Sequence, residues 1–156
     1  MATVYLAGAS CLAVAMLAAC SLTDPAEFLV VELTVSDTLA APGDTVELEV
    51  RATNYGMHEV KLQVSGWCPW TLFQVTDATG EVVGPESVVC AAIGVPLTRL
   101  SQGESAAFLA HWSGRGVSGG QLPEGDYGLQ AWVTPIGDDP VFTEVSSVRV
   151  TTAPVP

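Results

Sequence analysis

The sequence predicts an all-β fold: an antiparallel β-sandwich of about seven to nine short strands after an N-terminal signal helix. Three observations predict it. Beyond residue 28, apolar side chains recur at every second position in run after run, the period of a half-buried strand. Breaks rich in Gly, Pro, Asn and Asp separate these runs, at the roughly 8–12-residue spacing of sandwich strands. No later stretch carries the apolar spacing of an amphipathic helix.

Phe28 to Val35 opens the series, with Leu29, Val31, Leu33 and Val35 on one face. Ala41-Pro42-Gly43-Asp44 is a turn. Val46, Leu48, Val50 and Ala52 then point inward, with Glu47, Glu49, Arg51 and Thr53 outward. Asn54-Tyr55-Gly56 reverses the chain into Val60, Leu62 and Val64, and these two strands are expected to pair antiparallel. Trp70 to Thr76 follows, with Phe73 and Val75 inward. Asp77 to Gly80 then turns it into a short hairpin through Glu81-Val82-Val83. Residues 86 to 100 are less regular, with Val88-Val89-Cys90 as a short edge strand.

Ser101 to Glu104 leads into Ser105–Trp112, with Phe108, Ala110 and Trp112 on one face. Ser113 to Gln121 holds Gly114, Gly116, Gly119 and Gly120 and is expected to be a flexible loop. Tyr127, Leu129, Ala131 and Val133 alternate with Gly128, Gln130 and Trp132. After a turn from Pro135 to Pro140, the last strand runs from about Val141 to Thr151. Pro123-Glu124-Gly125-Asp126-Tyr127 resembles the tyrosine corner of immunoglobulin-like sandwiches, where a Tyr hydroxyl bonds back to upstream backbone. A plain core Tyr gives the same fold.

The N-terminus has a different character. From Ala2 to Ala19 there is no charged residue, and Leu12 to Ala19 is continuously apolar. That run is too short to span a bilayer, which takes about 20 apolar residues, and has the length of a signal-peptide core. It ends in Leu17-Ala18-Ala19-Cys20, which resembles the lipobox of bacterial lipoproteins. The resemblance implies that Cys20 receives a diacylglycerol and becomes the new N-terminus after cleavage. The segment Met1 to Tyr5 lacks the usual basic residue, so a start at Met1 and a start upstream both stay open. The expected organisation is therefore 1–19 signal peptide, 20–27 tether, 28–152 sandwich and 153–156 tail. More than one acyl chain on Cys20 gives stable anchoring, since one alone is marginal. The site is the cell envelope. Ser21 after Cys20, rather than the Asp that resembles a retention signal, favours the outer over the inner membrane.

Seventeen acidic against five basic residues give a net charge of −12. Nucleic acid needs a basic footprint, so it is excluded as a partner. Electrostatic adhesion to an anionic membrane is excluded on the same ground, which leaves the lipid to anchor the chain. With Cys11 removed and Cys20 lipidated, Cys68 and Cys90 remain as an even pair in an oxidising compartment. Their bridge would close a loop of about 23 residues and stabilise by roughly 3 kcal/mol.

No constellation for catalysis is visible, and the chain is expected not to be an enzyme. His58 and His111 are expected on the exposed face, and there is no Gly-x-Ser-x-Gly elbow. Asp138-Asp139 lacks the spaced ligands of a calcium loop. No metal or cofactor is expected. Gly66-Trp67-Cys68-Pro69-Trp70 stands out instead. Trp67, Pro69 and Trp70 on a disulfide-held loop offer contact area at low entropic cost; alternatively, the rings pack over the bridge and close the sandwich. The expected partner is a protein or other envelope component.

Taken in order, several motifs narrow the fold further. They are Pro42-Gly43-Asp44, Val46 to Asn54, Val60 to Gly66, Phe73 to Gly80, Leu100 to Glu104, Phe108, Trp112, Pro123 to Tyr127 and Ala131. Together they resemble the intracellular proteinase inhibitor family, over about residues 44 to 134. The resemblance implies an immunoglobulin-like sandwich and an inhibitor role. Its motifs are turn and core signatures, so it carries no functional residue across. Two functions remain in view: a lipid-anchored protein-binding module, and a proteinase inhibitor.

Overall fold

The computed structural model describes residues 25–63, 72–86 and 97–151. After a 3-10 turn at Pro25–Phe28 come eleven strand segments among the described residues. They are β1 (Leu29–Val35), β2 (Leu39–Ala40), β3 (Val46–Asn54), β4 (Val60–Gln63), β5 (Phe73–Thr76) and β6 (Val82–Gly84). There follow β7 (Leu97–Leu100), β8 (Ser105–Trp112), β9 (Gly125–Val133), β10 (Val141–Phe142) and β11 (Ser146–Val150). One sheet has the order β1-β3-β8. The other runs β2-β11-β9-β5-β6, with β10 also on β9. A two-stranded ladder, β4-β7, sits beside the end of β9 through a bridge between Leu62 and Pro135. Among the described residues all strand pairings are antiparallel except β2 with β11.

The alternation read from the sequence decides which faces meet. On β3, Leu48, Val50 and Ala52 are fully buried while Glu47 and Arg51 are exposed. From the other sheet Phe73, Val75, Leu129 and Ala131 are equally buried, and Trp112 closes the core from β8. Burying a Val, Leu or Phe side chain contributes about 1.5–3 kcal/mol, so two such faces hold the layers together.

Eleven segments appear where fewer strands were expected because runs along β9 are broken. Phe73 lies opposite Ala131 while Leu62 bridges Pro135, so β4 and β5 follow the same side of β9 with residues 64–72 between them. On its other side β10 and β11 form one interrupted strand. Through β2, the chain leaves the first sheet after β1 and joins the second parallel to β11.

One pairing differs from expectation. β3 does not pair with β4; it takes β1 and β8, while β4 takes β7. Both strands carry an apolar face, and putting them in opposite layers lets those faces bury each other. Asn54 makes the crossing possible. It is fully buried; its Oδ1 accepts the Gly56 N–H at 2.9 Å, and its Nδ2 donates to the carbonyls of His58 (2.8 Å) and Leu100 (2.9 Å). β7 was not anticipated because only Leu100 of its four residues is buried.

Candidate functional site

The residues singled out for chemistry or contact, Cys20, Trp67, Cys68, Pro69, Trp70 and Cys90, lie outside the described residues, as does the edge strand expected at Val88-Val89-Cys90. Their flanks are described. At the end of the β4–β7 ladder Gln63 lies opposite Leu97. In the neighbouring hairpin Val75 lies opposite Gly84.

The glycine-rich stretch Ser113 to Gln121, expected to be flexible, is instead a stitched loop docked on β6. Gly116 N–H donates to Gly120 C=O (2.9 Å), Leu122 N–H to Gly114 C=O (2.9 Å) and Val117 N–H to Val83 C=O (2.8 Å). The Trp112 indole N–H reaches Arg115 C=O at 3.0 Å. Gly114 has φ +71°, a conformation that favours glycine. A Cβ on Gly116 would meet Val83 O at 2.9 Å and a Leu122 methyl at 2.8 Å. The glycines therefore serve close approach of backbone to backbone.

Pro123–Tyr127 adopts the tyrosine-corner arrangement: Tyr127 Oη donates to Pro123 C=O at 2.9 Å. Burial first, and then the Asp77 charge, push the Tyr127 phenol above its ordinary pKa. His58 and His111 are exposed, as the alternation predicted. Among the described residues no three His, Cys, Asp or Glu side chains are grouped to hold a metal ion. The ion pairs are on the surface: Arg149 grips Asp126 with two bonds of 2.8 and 2.9 Å, and Arg99 meets Glu59 at 3.1 Å.

Sequence reasoning missed one feature, the open seam between the two sheets. Tyr55 N–H bonds Phe28 C=O and Ser36 N–H bonds Glu47 C=O, both at 2.9 Å, one at each end of the β1–β3 ladder. Antiparallel strands alternate the direction of their peptide groups. Even-numbered positions of β1 thus bond β3, while Leu29, Val31, Leu33 and Val35 turn their N–H and C=O groups away. Among the described residues no strand pairs with that edge.

Across the seam, Thr143 N–H bonds Ala131 C=O at 2.9 Å, which turns the Phe142 peptide away from β9. Thr143 thus faces Ala131 while Ser146 faces Leu129, so a one-residue bulge sits at Glu144-Val145. The buried Thr143 hydroxyl accepts Ala131 N–H (3.0 Å) and donates to Glu144 C=O (2.7 Å), holding the bulge. Between β1 and the bulged strand is a groove of about 560 Å³, lined from Leu29 to Leu33 and from Val141 to Ser146. Val30 (44% exposed), Phe142 (51%) and Val145 (59%) stand at its rim. The signal in the sequence is Phe28-Leu29-Val30-Val31: four apolar residues in a row cannot all face inward on a strand.

No family model and no curated protein matches the chain. Solved structures do. The C-terminal domain of wzt aligns at 11% identity over 81% of this chain and 75% of that one, with a TM-score of 0.50. The CARDB domain of a Pyrococcus furiosus protein, in complex with di-metal ions, aligns at 15% identity over 80% and 94%, with a TM-score of 0.47. The sporulation control protein Spo0M of Bacillus subtilis aligns at 10% identity over 80% of this chain and 50% of its own, with a TM-score of 0.49. At such identities likeness reaches the fold and no further. With the sheet order and tyrosine corner above, the chain is an all-β, immunoglobulin-like sandwich.

Proposed function

We propose that the chain is a lipid-anchored, non-catalytic binding module of the cell envelope. Acyl chains on Cys20 hold it in the membrane, the outer one by the character of Ser21. Trp67, Pro69 and Trp70 contact a protein or other envelope component. The observation that supports this reading is the register around the aromatic segment. The chain carrying Cys68 leaves from Gln63 and returns at Leu72, and the chain carrying Cys90 leaves after Glu86 and returns at Leu97. Gln63 and Leu97 are partners, about 5 Å apart in such a ladder, and the other two ends adjoin the β5–β6 hairpin. Both segments begin and end at the same pair of ladders, which favours a Cys68–Cys90 bridge holding the tryptophans.

The family resemblance supplies the competing role of proteinase inhibitor, and its Pro123–Tyr127 motif is fully employed as turn and core. Two assays separate them. The purified chain should retain a defined partner from envelope extracts and leave serine proteases uninhibited. Stoichiometric inhibition of a protease, without envelope capture, would replace the first reading with the second.

A further inference from the structure

We propose that the seam between β1 and the bulge at Glu144-Val145 accepts an extended segment of another protein, added as a strand to the free edge of β1 and alternating apolar with basic residues. The inference rests on the binding-module reading but uses residues other than those of the aromatic segment. Three observations carry it. The peptide groups of Val31, Leu33 and Val35 point out of the sheet and bond no strand among the described residues, although β10 passes nearby, and such an edge is a template for strand addition. The core behind the groove is incompletely covered, for Leu33, Val35 and Val141 are only partly buried where they pack against it. An incoming strand presents alternate side chains to that gap, so those must be apolar.

The third observation is charge. Glu32 and Glu144 line the groove and no Lys or Arg does. Arg51, opposite Glu32 across the ladder, is occupied by Glu49 at 2.6 Å. The chain as a whole carries −12, so the outward side chains of the occupant are basic. The same argument disfavours a second copy of this chain. Two β1 edges side by side would bring two Glu32 carboxylates and two strongly acidic domains together, and like charges facing across strands destabilise.

The test uses the full chain and a fluorescent seven-residue peptide, Lys-Val-Lys-Leu-Lys-Val-Lys, with its Glu-for-Lys counterpart as control. Anisotropy should rise with the basic peptide only. Amide hydrogen exchange should slow at Val31, Leu33 and Val35, which bond no strand among the described residues, and stay unchanged at Val30, Glu32 and Thr34, which already bond β3. The double variant Glu32→Lys, Glu144→Lys should weaken the basic peptide by about tenfold or more at an unchanged melting temperature. No binding, binding without protection of those three amides, equal binding of both peptides, or protection arising from self-association would each overturn the proposal. Loss of envelope capture on changing Trp67 and Trp70, with peptide protection retained, would leave the seam intact and speak only to the loop.

Discussion

The side-chain amide of Asn54 donates to the backbone carbonyl of Leu100 at 2.9 Å, tying the end of β3 to the end of β7. Its second donor bond and its carbonyl serve His58 and Gly56, so one buried side chain satisfies three backbone groups where the chain changes sheets. Asn54→Ala leaves those groups without partners, and each unsatisfied buried group costs about 1–3 kcal/mol. Chemical denaturation should show a loss of about 2–4 kcal/mol. A loss within 0.5 kcal/mol would mean that water or a neighbour replaces the amide.

The tyrosine corner gives a milder case. Tyr127→Phe keeps the ring in the core and removes only the bond to Pro123 C=O. A net hydrogen bond contributes about 0.5–1.5 kcal/mol, and the melting midpoint should fall accordingly with no change of fold. Destabilisation beyond about 3 kcal/mol would show that the hydroxyl does more than close the corner.

Much of this architecture was legible because burial imposes a period. Val46 to Ala52 and Tyr127 to Val133 alternate without interruption, and the structure buries the side those patterns named. Pairing was less legible: alternation says which face is inward, not which strand lies alongside, so β3 and β4 were placed side by side when they belong to opposite layers. β7 escaped because one buried residue makes no period. Glycine composition misled at Ser113 to Gln121, where the absence of side chains permits close backbone contact with Val83. The bulge at Glu144-Val145 breaks the period between β10 and β11, and the groove beside it depends on which backbone groups are left unpaired. Of that, residue types show only the four-residue apolar run Phe28 to Val31.

Lipidation of Cys20 is directly testable. Cys20→Ala should abolish incorporation of a fatty-acid analogue and leave an uncleaved or misprocessed precursor, seen as a slower band on gels. Equal label in the wild type and the variant would remove Cys20 as the anchor.

The proposed Cys68–Cys90 bridge is motivated by the even count and by the paired flanks Gln63 and Leu97. Non-reduced peptide mapping of envelope-derived protein should recover the two cysteines in one linked species. Their joint replacement by Ser should cost roughly 2–4 kcal/mol. Two free thiols would exclude the bridge.

The central claim is that the chain works by contact through its aromatic loop, and the double variant Trp67→Ala, Trp70→Ala measures it most directly. Melting temperature and partner capture are read on the same preparation. A contact surface predicts a stable sandwich that no longer retains its partner. Rings buried in the core predict the opposite, since truncating a buried Trp costs about 3–5 kcal/mol. A collapse in melting temperature, or a stable variant that still captures the partner, would contradict the account.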